Sequence, residues 1–253
     1  PSWLNSLPRS GSWMNSVKVV LGFLELALAF KFLSVADMTN HWRFLKYELF
    51  LGLWVLIAIG MTLYLFGLIK FPHDSPIKKL SPVRLGFAGI SLVTLVYLVS
   101  GFFVNQKTET YRGLSLFSGI LPPAGYNFLL KPPALDPAIK QEFPSYTLCA
   151  NNIPCFKEYD EGLAYAKKVN KPIFLDFTGY GCVNCRKTED KIWVKDEIYS
   201  ALKNDWVLLS LYCDDDKKLD KQYVSVSRNT KIKNVGNKWA DFQIVNFEKN
   251  AQP

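Results

Sequence analysis

Two hydrophobic patterns divide the chain. Up to about residue 104 apolar positions run almost continuously, and beyond it they come in short blocks separated by charge. Residues 17–33 form the first long run, which carries Glu25 and Lys31. Residues 49–69 hold no charge in 21 positions, and residues 85–104 none in 20. A bilayer core takes about 20 apolar residues in helical form, so three transmembrane helices are predicted. Residues 1–16, with Trp3, Pro8, Gly11 and Trp13, read as an interfacial or loop segment.

Past the third span the pattern loosens. Seven of the 14 prolines lie in residues 105–154, including Pro122-Pro123 and Pro132-Pro133. That composition favours extended, semi-rigid chain. Tyr111, Leu114, Leu116, Phe117, Tyr126, Phe128 and Leu129 are too apolar for a bare tether. Part of the segment is expected to pack on the membrane surface or on the domain that follows.

From Phe156 the periods are those of an α/β domain. Residues 159–170 predict a helix with Leu163, Ala166 and Val169 on one face. Residues 172–177 predict a strand, 182–191 a helix, 195–203 another helix, and 206–212 a second buried strand. Residues 225–238 look like an irregular insertion, with helix resuming over 239–247. Asp214-Asp215-Asp216-Lys217-Lys218 is expected to be a solvated loop; it lacks the later Gly and Glu of a calcium loop.

The fold class is therefore mixed: an α-helical transmembrane bundle fragment, then an α/β domain. The expected boundaries are 1–104 for the membrane part with three helices, 105–155 for an extracytoplasmic proline-rich linker, and 156–253 for the α/β domain.

Charge sets the orientation. Lys70, Lys78, Lys79 and Arg84 stand against Asp74 between the second and third spans. Between the first and second, Arg43 and Lys46 are balanced by Asp37 and Glu48. The positive-inside rule puts the first of these loops in the cytoplasm and everything after Val104 outside. The net charge of +8 in 253 residues does not point to nucleic acid, because no basic run with interleaved aromatics appears. Residues 1–104 carry 9 Lys/Arg against 4 Asp/Glu, while residues 105–253 carry 21 against 18, the balance of an ordinary polar domain. The chain starts without Met or a signal-peptide pattern, which suggests a piece of a longer protein. Glu25 has two readings of equal weight, a functional group in a span or a residue facing a polar bundle interior, and is not taken as a site residue.

The chemistry sits at Gly179-Tyr180-Gly181-Cys182-Val183-Asn184-Cys185-Arg186, where a strand turns into a helix. A helix N-terminus stabilises a thiolate, and two cysteines three apart reach each other across one turn. A structural zinc site would need further ligands, but the chain offers only His41 and His73, both in the membrane part. Haem attachment requires His where Arg186 stands. A redox dithiol remains, with no metal and no cofactor.

This strand–turn–CxxC–helix pattern resembles the thioredoxin superfamily. Three spans followed by Cys-Val-Asn-Cys-Arg-Lys-Thr-Glu resemble the C-terminal part of the bacterial thiol:disulfide interchange protein DsbD family. Leu7-Pro8-Arg9-Ser10-Gly11-Ser12-Trp13-Met14 and Gly22-Phe23-Leu24-Glu25-Leu26-Ala27-Leu28-Ala29 also look like that family's membrane domain. The resemblance implies a protein-disulfide reductase in the bacterial inner membrane, multi-pass, with its thioredoxin-like domain in the periplasm. Its implied partners are periplasmic thiol/disulfide proteins, an N-terminal periplasmic domain and membrane-domain cysteines of the same full-length protein, and the lipid bilayer. No cysteine precedes Cys149, so that relay pair is expected upstream of this sequence.

Several residues gain roles from the resemblance. Asp176 occupies the strand position where thioredoxins bury an acid that exchanges a proton with the second cysteine; the plain alternative is a solvent-facing or turn-capping Asp. Glu189, four after Cys185, resembles the family's second acid, or is a solvated helix residue. Pro253 matches in order the cis-proline that faces the CxxC pair, which would leave the domain incomplete at its C-terminus. Cys182 is expected to be the attacking thiol and Cys185 the more shielded one. Cys149 and Cys155 form either a small-loop disulfide, which is favoured, or an accessory thiol pair. Cys213 reads as a packed thiol. The rival functions are a tethered oxidoreductase serving cytochrome c maturation, and a non-catalytic membrane-anchored thioredoxin-like module that binds a partner or a metal.

Overall fold

The computed structural model describes residues 12–71, 74, 80–225 and 228–249. They fall into two units: one from residues up to 32 together with 51–100, the other from 33–50 together with 101 onward. Helix α1 runs Ser12–Thr39, α2 Tyr47–Leu65 and α3 Pro82–Val99, the last extended by a 3-10 turn at Ser100–Phe102. Among the described residues three helices are long and apolar enough to cross a membrane, over Met14–Thr39, Tyr47–Leu65 and Pro82–Phe102. Ser81 caps α3, its hydroxyl accepting from the Arg84 backbone, with Pro82 at the first turn where a missing N–H costs nothing.

Within the first unit the helices meet through small and polar groups. Gly60 sets its face against the Phe23 ring, 3.1 Å from where a Cβ would stand. Thr62 and Ser91 join their hydroxyls at 2.7 Å, and the Trp54 indole N–H donates to the Ala27 carbonyl at 3.1 Å. In an apolar medium every such group needs a partner.

The second unit is built on a four-stranded sheet in the order β3-β4-β6-β5, with β3 Tyr146–Leu148, β4 Pro154–Phe156, β5 Ile173–Thr178 and β6 Val207–Tyr212. β3 runs antiparallel to β4, whereas β4, β6 and β5 are parallel. Every residue of β6 is buried, which explains its unbroken Val-Leu-Leu-Ser-Leu-Tyr. Helix α5, Tyr159–Val169, lies on β6 so closely that a Cβ on Gly162 would stand 2.6 Å from the Leu209 side chain. Helix α7, Asp196–Asn204, supplies Tyr199 and Leu202 to a core of Ile153, Cys155, Trp193 and Leu208.

Four sequence expectations change. Residues 105–155 are more than a linker, because β3 and β4 come from them, besides the short hairpin of β1 Val104–Asn105 with β2 Thr110–Tyr111 and the small helix α4 Pro137–Glu142. Strands of three residues surrounded by prolines carry no readable period, and the hairpin is closed by a Cys149–Cys155 disulfide instead. The loop at 34–48 also belongs to this unit. Asp37 is fully buried, accepting from the Phe44 backbone at 3.0 Å and the Tyr126 hydroxyl at 2.8 Å, and Tyr47 stacks on Tyr111 at 5.2 Å. Residues 225–238 are not irregular throughout: β8 Lys231–Asn234 pairs with β7 Lys218–Val224, and α8 starts at Val235 and runs to Phe247. The acidic loop is not solvated at Asp215, which is buried, and Asp214 is half-buried; Gly236 packs on the backbone of Cys213 and Asp215, 2.8 Å from the Asp215 nitrogen to a would-be Cβ.

Candidate active site

The site forms where β5 ends. After Thr178 the chain turns through Gly179, Tyr180 and Gly181. The Asp214 carboxylate, at the end of β6, accepts from the Tyr180 and Gly181 backbone N–H groups, both at 2.8 Å. That clamp sets where Cys182 emerges. Cys182 is the N-cap of helix α6, Val183–Thr188, which passes into a π-helical turn at Glu189–Trp193. Its sulfur accepts from the Cys185 backbone N–H at 3.1 Å. Cys182 and Cys185 form a disulfide with a Cα–Cα distance of 5.3 Å. Their exposure reverses the expectation: Cys182 is only 6% exposed, and Cys185 is the more open of the two.

The acids come from β5 and from the turn after α6. Asp176 accepts from the Ser210 hydroxyl at 3.2 Å, across the β5–β6 register that pairs these residues. Burial pushes its carboxyl up to about 6, although Ser210 and Arg186 pull it down. Glu189 is buried on the helix face of Arg186, which donates to it at 2.7 Å and to the Thr178 hydroxyl at 3.3 Å. Burial pushes Glu189 above the usual carboxylate range, Arg186 opposes, and the Asp176 charge adds to the rise. The structure thus bonds Cys182 to Cys185 and brings Asp176 and Glu189 together around Arg186, the residue after Cys185. Pro253 lies outside the described residues.

Sequence reasoning passed over five neighbours. Arg186 entered only as an argument against haem, yet its i,i+3 spacing to Glu189 was a visible sign of pairing. Asp214 and Asp215 follow one residue after a strand that is apolar but for Ser210, which was the cue that they are not fully solvated. His41 faces Asp215 at 2.8 Å and meets the Tyr180 ring edge-on. Lys157 lies over the Tyr212 ring at 4.2 Å; burial draws its amino group's pKa down, and Asp215 opposes. Lys157, Tyr180, Arg186, Glu189, Asp190 and Tyr212 line part of a cavity of about 410 Å³. Among the described residues no cluster of three or more His, Cys, Asp or Glu side chains has the arrangement to hold a metal.

Asp176 gives a pH-dependent prediction. Its folded pKa is raised, so its favourable contribution is complete below the unfolded value of about 3.9 and fades as pH rises through about 6. Asp176→Asn is expected to stabilise the protein above about pH 6 by at most ~3 kcal/mol, and to leave stability unchanged near pH 4. Thermal melts of the full chain in detergent across that range check this. A variant that is less stable at high pH would contradict the burial argument.

Comparison with known proteins agrees with this geometry. Residues 155–229 match the family model described as thioredoxin-like. The chain is 23% identical over 206 residues to the thiol:disulfide interchange protein DsbD of Pseudoalteromonas atlantica, covering 81% of this chain and 28% of that protein. It is 26% identical over 196 residues to DsbD 1 of Pseudomonas aeruginosa, covering 78% and 28%. DsbD of Campylobacter jejuni is 23% identical over 227 residues, covering 90% and 31%. The chain therefore spans less than a third of the length of these relatives. Apolar helices able to cross a membrane, followed by a thioredoxin-like domain with a bonded CxxC pair, make it similar to a DsbD C-terminal part.

Proposed function

We propose that the chain is the C-terminal part of a membrane-bound thiol:disulfide oxidoreductase, a protein-disulfide reductase that passes electrons through Cys182 and Cys185 to disulfide partners outside the cytoplasm. One observation carries this reading: the two cysteines stand bonded at the start of α6, with a backbone N–H aimed at the Cys182 sulfur. That N–H stabilises a thiolate at Cys182 in the reduced pair. The Cys182 thiolate attacks a partner disulfide, forming a mixed disulfide and releasing one partner thiolate. Cys185, deprotonated, then attacks the Cys182 sulfur and releases the second partner thiolate. Two electrons leave the pair, which ends as the Cys182–Cys185 disulfide. Asp176 and Glu189, both pushed upward by burial, are the groups suited to take up the Cys185 proton.

Location follows from the same framework. The three candidate spans support a membrane anchor, and the loop charges support a periplasmic domain over an inner membrane. That residues 34–48 share one unit with residues 101 onward supports a common side for both. The partners in this reading are periplasmic disulfide proteins, together with cysteines and an N-terminal domain in the remainder of a longer protein.

The test is a redox equilibrium. The full chain in detergent is held in a series of glutathione buffers, and thiols are counted by alkylation and mass. Cys182–Cys185 should open and close reversibly. Cys149–Cys155, whose Cys155 is fully buried, should stay closed throughout. A Cys182–Cys185 bond that opens only when the protein unfolds would overturn the proposal.

A further inference from the structure

We infer that residues 113–123 form a strap over the motif helix that must lift before Cys182 can exchange with a partner. The inference rests on the exchange reading for its consequence, but the seat of the strap on the motif helix stands on contacts alone. The strap folds through tight turns, with Phe117 N–H donating to Leu114 and Ile120 N–H to Phe117, both at 2.9 Å. Leu114, Ser118 and Leu121 are buried.

Three contacts lay it on the motif. Gly119 adopts φ +81°, and a Cβ there would stand 2.6 Å from the Val183 side chain and 2.8 Å from its Cα. Only glycine allows both that conformation and that approach. The Ser118 hydroxyl donates to Asp190 at 2.6 Å, while Gly113 comes against the other Asp190 oxygen. On the opposite flank Val35 approaches Gly181, 3.3 Å from a would-be Cβ. Both chain neighbours of Cys182 thus carry a contact from far along the chain, Val183 keeping 40% of its surface exposed, while Cys182 itself is 6% exposed beside a more open Cys185.

Exchange depends on access to the sulfur under attack. A sulfur closed in this way is protected from casual thiols. Ser118 fastens the strap to Asp190, between Gly113 and Pro122-Pro123. A partner that displaces it would meet Val183 and Cys182 on the surface that Gly119 now occupies.

The test uses the full chain in detergent, reduced by dithiothreitol, with thiols followed by alkylation and mass. Ser118→Asp sets a second carboxylate against Asp190; Gly119→Ala forces the strap away without charge. Both variants should speed reduction of Cys182–Cys185 by about tenfold or more, as the loss of a hydrogen bond to a charged group implies. Cys149–Cys155 should stay resistant, which reports an intact domain. Wild-type rates in either variant would overturn the strap. So would equal acceleration of both disulfides, because the domain as a whole would then have opened. Faster reduction by dithiothreitol with no exchange toward a disulfide-bonded protein would leave the strap standing and sink the functional reading instead.

Discussion

Arg186→Met is expected to cost about 3–5 kcal/mol at about pH 8 and much less near pH 5. Arg186 and Glu189 are each 4% exposed and bonded at 2.7 Å. Removing one member of a buried pair strands the other, and that stranded charge is the main penalty. Without the guanidinium, burial and the charges of Asp176 and Asp190 act on Glu189 unopposed in raising its pKa. Its folded pKa then lies well above the unfolded value. Such a group contributes fully below about pH 4, and the contribution is lost as pH rises through the folded value. The deficit of the variant should therefore widen with pH. Arg186→Met combined with Glu189→Leu should recover most of it, since a well-packed apolar pair is often as stable as a buried ionic one. Urea unfolding of the full chain in detergent at both pH values checks this. Equal losses at the two values, or a double variant no better than the single, would show that Glu189 is not the stranded charge.

The pair also bears on what the site is for. A buried ion pair is weak evidence for stability, and this one lies one residue past Cys185, on the turn between the thiols and the acid. Keeping an arginine there places a fixed positive charge near both acids and lowers both, so that neither is locked in its protonated form. A carboxyl that titrates near neutrality is the one that can accept and return a proton.

Much of the fold was legible because its signals are local. Uncharged runs of 20 and 21 residues have no plausible reading other than buried helix, and α2 and α3 lie within a few residues of them. β5 and β6 are short apolar blocks with charge on either side, and both formed where expected. The CxxC pair was legible because its spacing, the strand before it and the helix after it all point to one chemistry.

What escaped was set by contacts between distant residues. β3 and β4 exist through a disulfide and a parallel neighbour, Leu208 and Leu209 of β6, and no pattern within Tyr146–Leu148 announces a strand. Asp214 and Asp215 looked solvated because their partners, the Tyr180 and Gly181 backbone and His41, lie more than 30 positions away. The exposure of the two cysteines came out reversed for the same reason. Helix position predicts which sulfur faces outward, but it says nothing of Val35 and Gly119, which pack on the two chain neighbours of Cys182 from far along the chain. β8 is the exception, since Lys231-Ile232-Lys233 alternates as a strand should and was passed over among polar neighbours.

The most direct test of the exchange mechanism compares two single variants. Cys185→Ser leaves Cys182 able to attack but removes the thiol that resolves the adduct. It should accumulate mixed disulfides with partner proteins or with an oxidised model protein, each released by dithiothreitol and each mapping to Cys182. Cys182→Ser keeps the more open sulfur but lacks the thiol that the Cys185 backbone N–H stabilises, so it should yield adducts at no more than the background of a surface cysteine. Gel shift with and without reductant, followed by peptide mass mapping, reads both. Adducts confined to Cys185→Ser are the predicted result. Equal or greater capture by Cys182→Ser would contradict the assignment of the nucleophile, and capture by neither would contradict the exchange reading as a whole.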